Sequence, residues 1–202
     1  IDYVDGLDAL NNSEIRMIGK PIERFEEDPV RMIRAIRFSV KLGAKLDPKI
    51  SKSISNHAHL LSNIPAARLY DETIKLFHND KSFEVFEQLL KFRLIKYLFG
   101  QTKETSFINK TLMNTSERIK NGKPVTPAFL FAVFLWSAQN KRFNELNKKK
   151  KSRILLMMQA SEDVISKQTK QVLMPRWLSN RVKDIWLMQY QLESCSQKKA
   201  KE

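Results

Sequence analysis

The sequence predicts an all-α protein that begins with a short irregular or β-like segment. Only five glycines occur in 202 residues, although sheets need turn residues at short intervals. Apolar residues recur at helical spacing along most of the chain. Side-chain acceptors stand at N-cap positions, each followed by a proline at the first helical position, in three pairs: Asp28-Pro29, Asp47-Pro48 and Thr126-Pro127.

These signals place the helices in order along the chain. The predicted ranges are 28–42, 48–61, 65–78, 81–98 with a break near Phe92, 106–121, 127–147, 152–170 and 179–193. The first twenty residues alternate apolar and polar positions, so short strands or a loop are expected there. The run Lys148–Lys151 and the final QKKAKE are expected to be a solvated loop and a frayed end.

Composition restricts the partners. A formal charge of +14 and a pI of about 9.9 favour a polyanion such as RNA, although a basic chain can also be merely soluble. The single cysteine, Cys195, excludes an intrachain disulfide and fits a reducing, cytoplasmic location. The most apolar run, Ala128–Trp136, covers about half of the roughly 18 residues that a membrane span needs, so no membrane partner is expected.

The segment RFEEDPVRMIRAIRF, from Arg24 to Phe38, carries the clearest functional pattern. On a helix its apolar residues share one arc and its cations share another. The apolar arc contains Pro29, Met32, Ile33, Ile36 and Val40. The basic arc contains Arg31, Arg34, Arg37 and Lys41. The acids Glu26, Glu27 and Asp28 stand at the start of this segment, where they favour the helix dipole and can pair with arginines three or four residues later.

Two interpretations fit this charge pattern. Exposed helix ion pairs contribute only about 0.3–0.5 kcal/mol each, which does not explain so many charges in one turn. Alternatively, the carboxylate of Asp28 and the guanidinium of Arg31 could recognise a nucleotide base. Adenine and cytosine offer an amino group beside an acceptor nitrogen, whereas guanine and uracil offer a carbonyl beside an N–H. A rigid Asp28/Arg31 pair would therefore select A or C over G and U.

The same segment resembles the EDxxR neck motif of the class II tRNA nucleotidyltransferase and poly(A) polymerase family. The matching residues are Glu27, Asp28 and Arg31, followed by RAIRF from Arg34. The preceding IDYVDGLDAL and IRMIGKPIERF resemble the end of that family's catalytic head. The segments that resemble the body and tail of its poly(A) polymerase branch are NIPAARLYDETIKLF, TPAFLFAVFLW and LMPRWLSNRVKDIWLMQYQLE.

The resemblance implies an elongated neck, body and tail array. It divides the chain into the end of the head and entry to the neck at 1–25, a neck and nucleotide-binding helical domain at 26–100, and a body and tail at 101–202. It implies that Asp28 and Arg31 bind the base of ATP, that Glu27 orients Arg31, and that Arg34 supports this pair or contacts phosphate. It also implies that Arg24, Arg37 and Lys41 in the neck contact RNA phosphates. Apart from the resemblance, Arg176 and Arg181 near Trp177 are expected to face the RNA backbone.

The family's head holds the carboxylates that bind two Mg²⁺ ions for nucleotidyl transfer, and no such motif occurs in this sequence. Asp2, Asp5 and Asp8 lack the Gly-Ser lead-in of that motif. Because the chain also opens with Ile1, we expect a piece of a longer enzyme that adds AMP from ATP to RNA 3′ ends and that is inactive without its head. The alternatives are a CCA-adding enzyme and a stand-alone helical RNA-binding module.

Other residues favour structural roles. His57 and His59 lack a third metal ligand, so no metal site is expected, and His78 suits a helix C-terminus. Arg68 is expected to anchor neck to body through Asp71 or Glu72. The aromatic residues expected in the core are Phe129, Phe131, Phe134 and Trp136. Trp177 and Trp186 are expected to pack the last helix against the body, with Lys183 beside them facing RNA.

Overall fold

A computed structural model describes residues 2–102, 106–147 and 152–199, with side chains as far as residue 193. The described residues form an elongated helical array with two very short strands, which confirms the all-α prediction. The run Lys148–Lys151 and residues 200–202 lie outside the described residues. The division into three domains stays a prediction.

The N-terminal part contains a helix that the sequence did not predict. Here α1 spans Gly6–Asn11, and β1 (Glu14–Ile15) pairs in parallel with β2 (Lys45–Leu46). The carboxylate of Asp2 accepts hydrogen bonds from the backbone N–H groups of Val4 at 3.1 Å and Leu7 at 2.8 Å. A single carboxylate therefore caps a helix too short to show periodicity.

The next elements form the corner that holds the candidate site. α2 spans Pro21–Glu27 and was not predicted, and α3 spans Val30–Leu42. Asp28 has an extended backbone between them, with φ −148° and ψ 93°, so α3 begins two residues later than expected. The predicted N-cap at Asp28 was therefore wrong, since Pro29 occupies that position, although Oδ1 of Asp28 accepts from the N–H of Val30 at 3.2 Å.

The remaining helices follow the prediction closely. They are α4 (Pro48–His57) with a 3₁₀ turn at Ala58–Asn63, α5 (Ala66–Phe77), α6 (Ser82–Lys91), α7 (Ile95–Leu98), α8 (Ser106–Lys120), α9 (Pro127–Leu146), α10 (Arg153–Gln171) and α11 (Arg176–Lys199). The predicted break near Phe92 is confirmed, because Arg93 adopts a left-handed φ of 57° between α6 and α7. Asp47 and Thr126 accept from backbone N–H groups as N-caps of α4 and α9.

One continuous apolar core joins α2–α11. Phe131 and Phe134 of α9 are buried as expected, whereas Phe129 remains 40% exposed and Trp136 half-buried. Trp186 is fully buried and its Nε1 donates to the carbonyl of Ala132 at 3.0 Å, which fixes α11 on α9. The prediction for Trp177 was wrong, since this side chain is 54% exposed on the outer face of α11.

Candidate nucleotide and RNA site

The apolar arc of α3 is buried as the sequence predicted. Met32, Ile33 and Ile36 have no exposed surface, and Phe25 of α2 is equally buried. α3 packs against α5 and α6, so its basic arc is left at the surface. The helix is therefore anchored through one side while it presents arginines on the other.

Glu27 sits at the centre of the exposed charges at this corner. Its Oε2 accepts from Nη1 of Arg31 at 2.7 Å and from Nη1 of Arg24 at 3.0 Å. These two hydrogen bonds, the one from Arg31 first, lower the pKa of the Glu27 carboxyl. The expected contact between Glu27 and Arg31 is confirmed.

Arg24 is tied to the turn that precedes α2. Its Nε donates to the carbonyl of Ile18 at 3.1 Å. Gly19, with φ +87°, lets the chain turn closely here, and a Cβ at that position would lie 3.3 Å from the same Nε. The carbonyl of Arg24 itself accepts from Nη1 of Arg31 at 3.0 Å, so α2 and α3 share one hydrogen-bond network.

Asp28 does not pair with Arg31, although the two are three residues apart. Its Oδ2 accepts from Nη2 of Arg68 on α5 at 2.7 Å. The Asp28 side chain is only 16% exposed. Because Oδ1 accepts from Val30 and Oδ2 from Arg68, protein donors orient both of its oxygens. Arg68 joins the corner to α5 as expected, but the expected partners Asp71 and Glu72 were wrong.

Glu72 is occupied by other cations. Its Oε1 accepts from Nε and Nη2 of Arg34 at 3.2 and 2.8 Å, and from Nζ of Lys75 at 3.1 Å. Burial alone would raise the pKa of Glu72, but these hydrogen bonds outweigh it and the pKa is lowered. The hydrogen bond to Glu72 also raises the pKa of Arg34. Arg34 of α3 is thus held by the carboxylate of Glu72, whose side chain is only 2% exposed.

Glu72 was not predicted to be part of the site. Arg68 and Glu72 stand four residues apart on one face of α5, a spacing that usually indicates a pair within one helix. In the structure each of them reaches across to the α2–α3 corner instead. The four-residue spacing of Arg68 and Glu72 is visible in the sequence. Their partners are not, because Asp28 is 40 residues from Arg68 and Arg34 is 38 residues from Glu72.

The other predicted RNA contacts occupy two regions. Arg37 has a buried Nε without a partner among the described residues, and its guanidinium lies 4.8 Å from the ring centroid of Phe38. Lys41 is exposed at the C-terminal end of α3. Arg176 and Arg181 are exposed on α11, which packs on α9 and α10 rather than on α3.

One backbone contact joins the segment before α11 to the start of α5. The N–H of Leu173 donates to the carbonyl of Ala66 at 3.0 Å, just before α11 begins and where α5 begins. Lys183, expected to face RNA, instead forms an ion pair with Glu162 of α10. The structure therefore separates the tail arginines from the α2–α3 corner and leaves α5 as the element between them.

Metal ligands are not grouped here. Within the described ranges, no set of three or more His, Cys, Asp or Glu side chains could hold a metal ion. His57 and His59 face each other with ring centroids 6.3 Å apart, and Nδ1 of His57 contacts the carbonyl of Ser53 at 2.9 Å. His78 caps α5, with Nε2 contacting the carbonyl of Val125 at 2.5 Å.

No described helix is long and apolar enough to cross a membrane.

Comparison with known proteins places this chain in a family. A family model described as "Probable RNA and SrmB- binding site of polymerase A" matches residues 43–105, and "Polymerase A arginine-rich C-terminus" matches residues 149–202. Poly(A) polymerase I of Escherichia coli is 34% identical over 98% of this chain. The chain belongs to the class II tRNA nucleotidyltransferase and poly(A) polymerase family.

Members of this family match the chain over different lengths. Poly(A) polymerase I of Salmonella typhi is 33% identical over 98% of the chain, and the chain spans 45% of that relative's length. The CCA-adding enzyme of Bacillus subtilis is 35% identical over 58% of the chain, which spans 28% of that enzyme. The chain therefore spans about half the length of the poly(A) polymerases it matches.

Solved structures of the family share the fold. The Thermotoga maritima CCA-adding enzyme complexed with tRNA superposes with a TM-score of 0.66 and 19% identity, over 91% of this chain and 40% of that one. An apo tRNA-processing enzyme gives a TM-score of 0.66 and 21% identity, over all of this chain and 53% of that one. At this level of identity the comparison supports the helical arrangement alone.

Proposed function

We propose that this chain is the neck, body and tail of a polynucleotide adenylyltransferase, which adds AMP from ATP to RNA 3′ ends without a template. The length of the match carries this proposal. The similarity to poly(A) polymerase I extends over 98% of the chain, whereas the similarity to the CCA-adding enzyme of Bacillus subtilis covers 58%. A CCA-adding enzyme is the second candidate, because the neck motif is common to both and the fold matches solved enzymes of that kind.

Base recognition is the role we assign to Asp28 and Arg31. Asp28 is fixed by Arg68 and by the N–H of Val30, while Arg31 is fixed through Nη1 alone. No described group accepts from Nε or Nη2 of Arg31, so these donors remain for a ring nitrogen. A preorganised carboxylate beside a preorganised guanidinium binds an adenine amino edge and leaves guanine or uracil with mismatched polar groups.

The supporting residues have distinct tasks in this proposal. Glu27 orients Arg31, and Glu72 holds Arg34, which supports the pair or contacts phosphate. The RNA-phosphate contacts are Arg24, Arg37, Lys41, Arg176 and Arg181, which would position the primer without selecting its sequence. Because Glu27 and Ile18 already engage Arg24, a phosphate there must compete with these acceptors.

The chemistry belongs to other residues of the whole protein. In our proposal the RNA 3′ hydroxyl attacks the α-phosphate of ATP and pyrophosphate leaves. Mg²⁺ supports that step when bound by the head's carboxylates, and we assign no step through the metal to this chain, since its described residues offer no metal-binding cluster. Residues 1–202 without the head are therefore expected to bind but not to turn over.

One experiment separates the candidates. The complete protein is incubated with labelled ATP or CTP, on an oligo(A) primer and on tRNA that lacks its CCA end. We expect AMP incorporation on oligo(A) and no CMP incorporation on tRNA. CMP addition to the tRNA would instead establish the CCA-adding enzyme, and binding without incorporation of either nucleotide would favour an RNA-binding module.

A further inference from the structure

A pocket with polar and aromatic walls lies in the tail, apart from the α2–α3 corner. It encloses about 200 Å³ between the second half of α9, the start of α10 and the end of α11. This volume is below the roughly 300 Å³ of a pocket for a drug-sized ligand, so it suits a single planar group. None of the residues assigned above to ATP or RNA lines it.

Three aromatic side chains form the walls of this pocket. They are Trp136 and Phe143 of α9 and Tyr190 of α11. The rings of Phe143 and Tyr190 meet edge to face, with centroids 5.8 Å apart at 62°, and Trp136 is half-buried beside them. Rings that are held in place but partly accessible are the surfaces on which nucleobases stack.

Two amides supply hydrogen bonds within the same walls. Asn140 and Asn144 lie one turn apart on α9, so both project from one face. Neither side chain has a hydrogen-bond partner among the described residues, although Asn140 is half-buried. An asparagine amide offers a donor beside an acceptor, which complements the N6 and N7 edge of adenine.

Two charged side chains in the lining of the pocket would orient a bound nucleotide. Arg153, exposed in the first turn of α10, lines one side, and Glu193 of α11 lines another. The Oε1 of Glu193 accepts from Nε2 of Gln189 at 2.9 Å. A phosphate is therefore favoured beside Arg153 and disfavoured beside Glu193, where an exocyclic amino group fits.

A neighbouring cavity of about 340 Å³ shares Trp136 but has a different character. Its walls include the exposed rings of Phe107 and Phe129, and its polar members are Gln189 and Glu193, already bonded to each other. It can accept a stacked base but offers no free amide to select one. Both cavities share Glu193, but an unpartnered amide beside the base is a feature of the smaller pocket among the described residues.

We propose that the smaller pocket binds the adenine base of an unpaired RNA nucleotide, stacked on Trp136 and hydrogen-bonded by Asn140. The RNA context rests on the proposed function, whereas the base chemistry rests on the pocket alone. Adenine is favoured over the pyrimidines by its larger stacking surface, and over uracil also by the Glu193 carboxylate, which accepts from an amino group but not from a carbonyl. The amide of Asn140 adds affinity for the N6 and N7 edge without excluding other bases, because it can rotate to pair with a carbonyl beside an N–H. An enzyme that makes adenine tails would thereby hold its own product at a distance from the reactive end.

The test uses tryptophan fluorescence of the complete protein. AMP and UMP are titrated into the wild type and into Trp136→Phe, and the quenching that is absent in the variant reports on Trp136, which lines both cavities. Its loss in Asn140→Ala assigns it to the smaller pocket, because Asn140 lines that pocket and not its neighbour. We expect AMP to quench Trp136 and UMP to bind at least about fivefold more weakly. Asn140→Ala should weaken AMP by about fivefold or more, because the hydrogen bonds of the amide to the N6 and N7 edge are lost. The matched control is Asn114→Ala, an exposed asparagine on α8.

Phosphate recognition gives an independent readout. Arg153→Gln should weaken AMP but not adenosine, which lacks the phosphate. Equal affinity for AMP and UMP, or AMP quenching that is the same in Trp136→Phe as in the wild type, would overturn the proposal. Whether or not the pocket binds AMP, Asn140→Ala should leave nucleotide choice in the incorporation assay unchanged, because that choice is assigned to Asp28 and Arg31. The titrations therefore test the pocket proposal and the incorporation assay tests the proposed function, so a negative result for one can be told apart from a negative result for the other.

Discussion

The carboxylate of Asp28 is held by Arg68, 40 residues later in the chain, and not by Arg31, its neighbour on the next turn. Oδ2 of Asp28 and Nη2 of Arg68 are 2.7 Å apart. This contact leaves Arg31 free of Asp28, so the two groups assigned to base recognition do not neutralise each other. In the proposed role, the base would bridge the two side chains.

Arg31→Ala should reduce nucleotide selectivity more than RNA binding. The variant loses the donor to the base's ring nitrogen, so the ratio of kcat/KM for ATP to that for GTP should fall by about 5- to 150-fold. Incorporation by the complete protein and RNA affinity are measured in parallel. An unchanged preference for ATP would remove the base-recognition role from this pair. Arg93→Ala, an exposed arginine without an assigned role, serves as the control.

Arg68→Ala should produce a smaller loss of the same selectivity. Asp28 would keep the hydrogen bond from Val30 but lose the one that fixes Oδ2. We expect the ATP to GTP ratio to fall by less than in Arg31→Ala, with RNA affinity unchanged. If selectivity stayed at the wild-type value, Asp28 would not need Arg68 for its orientation.

Glu72→Gln should destabilise the protein in a pH-dependent way. Arg34 is partly screened by solvent, so the loss at pH 7 should be about 1–2 kcal/mol in the free energy of unfolding. The lowered pKa of Glu72 means that its contribution is present above the ordinary glutamate pKa of about 4.3 and disappears as the pH falls through the folded-state pKa.

Urea denaturation of wild type and Glu72→Gln across pH 3–7 measures this effect. The difference between the two proteins should shrink toward low pH. Glu87→Gln, an exposed glutamate on α6, should show no comparable difference. A difference between wild type and Glu72→Gln that is constant with pH would contradict an ionised, paired Glu72.

Trp186→Ala should cost about 3–5 kcal/mol of stability, because it empties a fully buried site and removes the hydrogen bond to Ala132. Trp177→Ala, at an exposed position on the same helix, should stay within about 0.5 kcal/mol of wild type. Denaturation midpoints compare the two. Similar losses for both would mean that α11 does not pack through Trp186.

Lys41→Ala should weaken RNA binding in a salt-dependent but sequence-independent way. Loss of one phosphate contact should reduce the slope of log affinity against log salt by about 0.7 for single-stranded RNA. Titrations of oligo(A) and oligo(U) at several salt concentrations measure the slope. Lys52→Ala, an exposed lysine on α4, should leave it unchanged. A loss confined to oligo(A) would instead assign Lys41 to base recognition.

Local signals predicted most of the helices, and the misses have physical causes. α9 was found from the Thr126 cap and its long apolar run, and the break at Arg93 from the interruption near Phe92. α1 and α2 were missed because helices of 6 and 7 residues cover fewer than two turns and show no periodicity. Trp177 was misassigned because residue type alone does not determine which side of a helix faces the body.

The sequence by itself determined the family motif, the charge at the corner and the two faces of α3, because these depend on residue type and on spacing within one helix. Only the tertiary structure decided that Asp28 pairs with Arg68 and Arg34 with Glu72, and that Asn140 and Arg153 share a pocket with Tyr190. These contacts join separate helices. Helical spacing predicts which residues share a face, but packing decides what that face meets.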